Sequence, residues 1–181
     1  FDSLLEVIIL YESEPSYLII MERKLIIRNF GAIASADIAL KDFNIFIGEQ
    51  GAGKSTVAKL ITIFENSRDK VLKVDSDYLM TKFSEYNIIS YFNPDSYISY
   101  SSEQGDITYE DGSFNFTFSY HSTSHNLYIP AERFFISIFS RSIATLVLSK
   151  APIPVTLLEF ASFYEKAKNL FVNYQVPIFN I

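Results

Sequence analysis

The chain has 181 residues, of which 49% are hydrophobic and 20% are charged, and its formal charge at pH 7 is −6. This length allows one domain with a sizeable core, and the charged fraction is too large for an integral membrane protein. The absence of cysteine excludes disulfides and thiol catalysis, and the acidic balance argues against the evenly basic surface of a non-specific nucleic-acid-binding protein.

The first twenty residues contain two short apolar segments that flank an acidic turn at 12–15. Neither segment is long enough to span a bilayer, and no basic stretch precedes a cleavable apolar one. We therefore expect a cytoplasmic protein with no membrane partner. Met21 resembles a natural start, so we interpret residues 1–20 as an extension of unknown role.

Two strands are predicted next. Lys24 to Phe30 is rich in apolar residues, and in 34–40 apolar and polar residues alternate as they do in a half-buried strand. Gly31 marks the turn between the two strands. They stand directly before a third strand at 43–47, whose nearly continuous apolar sequence FNIFI is typical of a strand buried on both faces.

The segment that follows, GEQGAGKST, fits the phosphate-binding pattern G-x-x-x-x-G-K-[ST]. Its glycines allow a tight turn that brings N–H groups onto a phosphate, and a helix N-terminus favours an anion. In this pattern Lys54 reaches the β- and γ-phosphates and the Ser55 hydroxyl binds Mg²⁺. The candidate nucleotide-binding residues are Gly48, Glu49, Gln50, Gly51, Ala52, Gly53, Lys54, Ser55 and Thr56.

The residues after this segment predict an amphipathic helix, because apolar side chains recur at helical spacing at Val57, Leu60, Ile61 and Phe64. A real phosphate loop leaves a strand and enters a helix, so both flanks fit. The alternative is a glycine-rich turn that joins a strand to a helix without binding a nucleotide. These flanks argue against it.

Residues 66–127 are predicted to form an inserted subdomain with antiparallel strands. A short helix is predicted at 71–80, and the aromatic residues of 83–100 fit packing better than base stacking, since no basic residue lies between Lys82 and Arg133. Asp111-Gly112 predicts a hairpin between 106–110 and 113–120. A further strand is predicted at 126–129, then a helix from 131, and a last helix from Thr156 to Val172.

Other candidate sites are weaker. His121 and His125 are four residues apart, but their Ser/Thr-rich surroundings indicate a loop, so a metal site is the less favoured interpretation. Asp75 and Glu159 follow apolar runs, as a second Mg²⁺ carboxylate does, yet Lys73 interrupts the first run and Glu159 lies in a helical pattern. The sequence therefore predicts a phosphate cradle without a recognisable hydrolytic carboxylate.

Two segments, IRNFGAI at 27–33 and FIGEQGAGKSTVAKLI at 46–61, resemble the N-terminal half of ABC-type ATPase heads. The nearest resemblance is to SMC-like and OLD-like P-loop ATPases of bacterial DNA repair and phage defence, some of them labelled AAA. YIPAER at 128–133 is similar to a segment of defence-type members. The resemblance implies an α/β P-loop NTPase fold over 21–181, with a mixed sheet and an antiparallel β-subdomain.

For individual residues, the resemblance implies that Lys54 acts on the phosphates, that Ser55 binds Mg²⁺ and that Gln50 lines the phosphates. Glu132 lies near the position of the Q-loop glutamine, although a carboxylate at a helix start is the competing interpretation. A basic residue often follows the Asn-Phe pair in SMC-like heads. Here Gly31 holds that position, and Arg28 substitutes for it only if its side chain turns inward.

No signature motif, Walker B acid or switch histidine is recognisable after residue 133. The resemblance therefore implies an incomplete head that uses ATP and Mg²⁺ and is completed by a head-to-head homodimer or by a C-terminal half of the same protein. DNA or a defence protein is a candidate further partner. Two alternatives stay open, namely a non-catalytic module whose dimerisation or partner binding depends on a nucleotide, and a small-molecule P-loop kinase.

Overall fold

The structure, a computed structural model, describes residues 6–8, 23–67, 75–103, 105–118, 126–131, 148 and 152–174. The chain divides into two compact units, 1–126 and 127–181. The strands of the first unit are β1 (Glu6–Ile8), β2 (Arg23–Phe30), β3 (Ile33–Leu40), β4 (Ile45–Ile47), β5 (Tyr97–Ser102), β6 (Gly105–Glu110) and β7 (Ser113–Phe118). Its helices are α1 (Lys54–Asn66), α2 (Ser76–Glu85) and a short 3-10 helix (Ile89–Tyr91), while α3 (Val155–Tyr174) belongs to the second unit.

Five strands form one antiparallel sheet in the order β3-β2-β5-β6-β7. Strand β2 is central to its packing, because Leu25 and Ile27 alternate with more exposed residues and are fully buried. Leu25 pairs with Ile38 on one side and with Tyr100 on the other. The antiparallel sheet thus contains strands from both before and after the phosphate-binding segment.

The core of the first unit lies between the apolar face of this sheet and the helices α1 and α2. Helix α1 buries Val57, Leu60 and Phe64, as its helical spacing predicts. Ile61, the fourth predicted residue, is only partly buried, and Ile63 is buried instead. The Phe64 ring lies 5.7 Å from that of Tyr100, and Phe83 of α2 lies 5.9 Å from Phe30. The aromatic residues of 83–100 therefore pack in the core, which agrees with the interpretation made from the sequence.

A polar contact joins the end of α1 to the start of the sheet. The Tyr100 hydroxyl donates to Glu65 Oε1, and the same carboxylate oxygen lies 3.8 Å from Arg23 Nη1. Arg23 also contacts Asp42, with 3.3 Å between Nη2 and Oδ1. Asp42 precedes the predicted phosphate-binding residues and Glu65 follows them, so Arg23 contacts the chain on both sides of that segment.

The expectation of a third strand buried on both faces is wrong. Strand β4 has three residues and pairs antiparallel with β1 in a separate two-stranded sheet. Phe43 is 62% exposed and Ile47 is 53% exposed. A strand is covered on both faces only where other elements pack on it, and within the residues that the structure describes, β1 is the one strand paired with β4.

Several other predictions are tested by the described residues. The hairpin is confirmed, with Asp111 and Gly112 at φ 50° and 77° between β6 and β7, and the last helix is confirmed as α3. The helix predicted at 71–80 is confirmed only in part, because α2 begins at Ser76, after its N-cap Asp75, and ends at Glu85. Strand β5 was not predicted, since its sequence YISYSS carries short polar residues on one face.

The strand predicted at 126–129 does not form. The backbone N–H of Asn126 donates to Asn66 Oδ1 at 2.6 Å, and its carbonyl accepts from Asn66 Nδ2 at 2.8 Å. One side chain at the end of α1 therefore satisfies the backbone groups that a neighbouring strand would otherwise pair. The predicted strand is replaced by a connection anchored on α1.

The fold thus combines helices with an antiparallel sheet, as expected from the sequence. Every strand pair among the described residues is antiparallel, so the parallel part of the expected mixed sheet is not found in them. No described helix has both the length and the apolar character to cross a membrane. Glu132, His121 and His125 lie outside the described residues, as does most of the helix predicted from 131.

Candidate nucleotide-binding site

The candidate site is the loop from Gly48 to Gly53, which connects β4 to α1. Gly51 and Gly53 have φ angles of 87° and 90°, in the left-handed region that residues with a Cβ rarely adopt. Gly53 is the N-cap of α1, and no side chain caps the helix. The backbone of the loop therefore favours glycine at positions 51 and 53.

The N-terminus of α1 is suited to an anion. The first N–H groups of an α-helix have no partner inside the helix, and here neither a side-chain cap nor an acidic residue stands in the first turn. A Cβ placed on Gly51 would meet no atom within 4 Å, so the space beside that glycine is open. Uncapped N–H groups next to an open space are the arrangement that binds phosphate in such loops.

Lys54 lies at the first position of α1 and its side chain folds back over the loop. Its Nζ donates to Gly48 O at 2.8 Å and to Glu49 O at 2.5 Å. An ammonium group has three donors, so these two bonds leave one donor for a phosphate oxygen. The loop carbonyls thus hold the positive charge of Lys54 beside the cradle, where a polyphosphate would gain from it.

The two hydroxyl residues after Lys54 differ in exposure. Ser55 is exposed, whereas Thr56 is buried at 6% exposure. The Ser55 hydroxyl is therefore accessible to a metal ion, and Thr56 supports the start of α1 from inside. Since Mg²⁺ is usually held by one or two protein oxygens together with phosphates and waters, the donors present fit Mg²⁺ bound to a nucleotide.

Acidic groups do not converge on the loop in the part of the chain that is described, where no group of three or more His, Cys, Asp or Glu could hold a metal ion. The Asp75 carboxylate accepts from the Tyr78 N–H at 2.9 Å and caps α2. Glu159 lies on α3 in the second unit. The Asp75 carboxylate is therefore used as a helix cap.

Arg28 is engaged by the neighbouring strand. Its Nη1 donates to Ile27 O and to Ala36 O, both at 2.9 Å, and its Nη2 lies 3.2 Å from Asp37 Oδ2. These contacts hold the guanidinium against β3, and none of them joins it to the loop. A nucleotide-binding role for Arg28 remains a prediction of the sequence.

Gly31, where SMC-like heads often carry a basic residue, is covered by an aromatic ring. Its φ is 58°, and a Cβ built on it would lie 2.7 Å from Tyr91 Cδ2. Its N–H donates to Tyr91 O at 2.9 Å. The glycine at position 31 therefore has a structural reason, since a long side chain there would displace Tyr91.

Sequence reasoning missed one residue of the site, Ile33. A Cβ built on Gly53 would lie 2.5 Å from Ile33 Cγ1, so the side chain of Ile33 packs directly beside the loop. The two residues are twenty positions apart and belong to different elements. No spacing rule connects them.

A strand, a loop with two left-handed glycines, a lysine folded over it and an uncapped helix together define a P-loop nucleotide-binding protein. The chain belongs to the AAA ATPase domain family, because the model of that family matches residues 21–170. No curated protein and no solved structure matches the chain. Membership of this family indicates ATP binding and ATPase function, typically with a divalent metal ion.

Proposed function

We propose that this chain is the ATP-binding part of an ABC-type ATPase head of the SMC-like or OLD-like kind. The observation that carries the proposal is the phosphate loop, with its two left-handed glycines and the uncapped N-terminus of α1. The antiparallel sheet supports the head type. In it, two strands precede the loop, whereas the loop of simple kinases and small GTPases follows the first strand.

In this proposal the N–H groups from Gly51 to Thr56 bind the β- and γ-phosphates of ATP. Lys54, already held beside the cradle by two loop carbonyls, neutralises charge on those phosphates as it builds up during transfer. Gln50 lines the phosphates, and the Ser55 hydroxyl contributes one ligand to Mg²⁺. When bound, Mg²⁺ supplies charge neutralisation between the β- and γ-phosphates.

Hydrolysis in this proposal needs groups beyond those described. Glu132 is proposed as the residue of the Q-loop position, which senses the γ-phosphate. The exposure of Phe43 and Ile47, and the single strand paired with β4 among the described residues, support completion of the head by further chain. That chain is a second copy in a head-to-head homodimer or a C-terminal half of the same protein.

From the sequence resemblance we further propose a cytoplasmic role in bacterial DNA repair or phage defence, with DNA or a defence protein as the partner. This part of the proposal therefore rests on the segments 27–33, 46–61 and 128–133.

The test is MgATP binding by the natural protein and by its Lys54→Ala variant, measured by isothermal titration calorimetry. We expect the variant to lose at least roughly tenfold in affinity, because a charge-assisted contact to phosphate contributes about 1.5–3 kcal/mol. Lys24→Ala is the matched control, since it removes the same charge from an exposed position on β2. Binding that is unchanged in Lys54→Ala would refute the proposal.

A second candidate is a non-catalytic module in which ATP binding only drives association. It is favoured by the lack of any converging acidic cluster among the residues that can be described. ATP turnover and ATP-induced dimerisation, measured on the same sample, separate the two. Dimerisation with no turnover supports the module, and turnover lost in Lys54→Ala supports the ATPase.

A further inference from the structure

At Gly53 the loop approaches the sheet closely. The three atoms nearest to a Cβ built on Gly53 all belong to Ile33, with Cγ1 at 2.5 Å and Cδ1 at 2.9 Å. Real Cβ atoms do not approach other atoms so closely, so Ile33 occupies the space that a side chain at position 53 would need. At Gly51, in contrast, the corresponding space is open.

We propose that Ile33 is a positioning residue for the phosphate loop. By filling the space beside Gly53, it fixes the N-cap of α1 and hence the place of the N–H groups that follow. The loop is then packed against Ile33 at Gly53, while the space beside Gly51 stays accessible to a ligand. A rigid phosphate-binding loop needs both features. This inference rests on the proposed function, because it assigns Ile33 a role in the same site.

Ile33 is itself held firmly. It is 5% exposed, begins β3 and pairs with Phe30 across the turn of the β2–β3 hairpin. Three hydrogen bonds attach this turn to the end of the 3-10 helix and to the residues that follow it. They run from Gly31 N to Tyr91 O at 2.9 Å, from Asn93 Nδ2 to Asn29 O at 3.0 Å and from Ser96 Oγ to Asn29 O at 2.5 Å. Because the turn holds the side chain of Ile33 in place, Ile33 restricts the position of the loop that it contacts.

The competing interpretation is that Ile33 is an ordinary core residue. In that case its truncation lowers the stability of the fold and affects the loop only as much as any equal loss of stability does. Ile38 provides the comparison, since it lies on the same strand, is 2% exposed and faces Leu25. It stands about 17 Å from Ile33 along β3 at the usual rise per residue.

The first experiment compares Ile33→Ala with Ile38→Ala by hydrogen exchange of the amides of residues 48–56 in the protein without nucleotide. We expect exchange in this loop to be roughly tenfold faster in Ile33→Ala, while the two variants lose similar stability. Equal exchange in the two variants would overturn the proposal. Because no nucleotide is needed, the result holds whether or not the natural protein binds ATP.

The second experiment measures the dissociation constant for MgATP in the same pair. We expect a rise of roughly tenfold in Ile33→Ala relative to Ile38→Ala, because a loop displaced by a fraction of an ångström no longer places its N–H groups on the phosphates. If the natural protein binds no MgATP, the proposed function fails, and the exchange comparison alone decides the role of Ile33. Equal dissociation constants in the two variants count against the positioning role.

Variants of milder effect cover the case in which Ile33→Ala does not fold. Ile33→Leu keeps the volume but moves the branch away from Cβ, so it changes the shape beside Gly53 at small cost in stability. We expect faster loop exchange in Ile33→Leu than in Ile38→Leu. Ile33→Val retains Cγ1, the atom nearest to Gly53, and is expected to restore exchange to within about twofold of the natural protein.

Discussion

The two left-handed glycines of the loop lack a Cβ for different reasons. At Gly53 the space is filled by Ile33, whereas at Gly51 it is open. Both glycines have φ close to 90°, so each supports a backbone that other residues adopt only under strain. At the residue scale, the missing Cβ of Gly53 therefore allows packing against Ile33, and the missing Cβ of Gly51 leaves space for a ligand.

We expect Gly51→Ala to lower MgATP affinity about tenfold. A Cβ at φ 87° costs roughly 1–2 kcal/mol even in open space. The loop of the variant relaxes to a less strained conformation when no nucleotide is bound, and it must regain the strained conformation to bind MgATP. A cost of about 1.4 kcal/mol for this change corresponds to a tenfold loss of affinity. Calorimetric titration with MgATP measures this effect, and urea unfolding measures stability.

Gly112→Ala is the matched control for this prediction. Gly112 has φ 77°, also has nothing within 4 Å of a built Cβ, and lies in the β6–β7 turn. It should lose a similar amount of folding free energy and keep its MgATP affinity. An equal loss of affinity in both variants would show that general destabilisation, and not the loop, is responsible.

At the scale of elements, α2 is fixed at both ends by polar contacts. The Asp75 carboxylate caps its N-terminus, and Lys59 Nζ of α1 donates to Tyr86 O just beyond its C-terminus at 2.9 Å. The helix that carries the phosphate-binding lysine is thus attached to its neighbour at a defined point. Asp75, considered from the sequence as a Mg²⁺ carboxylate, has a structural role that accounts for its position.

We expect Asp75→Ala to cost about 1 kcal/mol of folding free energy, because an N-cap bond is lost. Asp75→Asn should be nearly neutral, since asparagine caps as well as aspartate. Neither variant is expected to change the Mg²⁺ concentration needed for ATP binding, whereas Ser55→Ala should raise it. Titration of Mg²⁺ at fixed ATP, with urea unfolding alongside, gives both quantities.

Asp75→Asn carries the decisive comparison. A carboxylate that binds Mg²⁺ loses its charge in this variant, while an N-cap keeps its hydrogen bond. A raised Mg²⁺ requirement at unchanged stability would assign Asp75 to the metal and contradict the structural role.

On the scale of the whole molecule, the phosphate loop belongs to a unit whose sheet is built from strands on both sides of it in sequence. The family match over residues 21–170 covers 21–126 of this unit and 127–170 of the second. The apolar side chains of Phe43 and Ile47 remain exposed next to the loop. The predicted phosphate-binding loop therefore follows a strand that is only partly covered.

We expect MgATP to raise the thermal unfolding temperature of the natural protein. A ligand at one hundred times its dissociation constant adds about 2.7 kcal/mol of stability when it binds only the folded state. Removal of Mg²⁺ with EDTA at the same ATP concentration should reverse most of this shift, since the bound species is the Mg²⁺ complex. Differential scanning fluorimetry measures both.

Lys54→Ala is the control here, and its unfolding temperature should not respond to MgATP. A full response in that variant would mean that the stabilising site is elsewhere in the molecule. A shift that survives EDTA would contradict the role of Ser55 and Mg²⁺.

The sequence by itself determined the features that depend on neighbouring residues. The phosphate loop, the start of α1, the Asp111-Gly112 hairpin and α3 all follow from contiguous residues, because turn conformation and helical periodicity are local properties. The strands β2 and β3 were likewise predicted, with Gly31 at their turn. Most of the candidate site therefore came from a single stretch of nine residues.

Only the tertiary structure decided which residues of different elements are in contact. The contact of Ile33 with Gly53, the engagement of Arg28 by β3 and the ring of Tyr91 over Gly31 each join segments distant in sequence. The same holds for the pairing of Asn126 with Asn66 in place of a strand, and for the exposure of β4. Such contacts depend on how the elements pack. The residues in contact lie far apart in the sequence, and no spacing pattern in the sequence predicts which of them will meet.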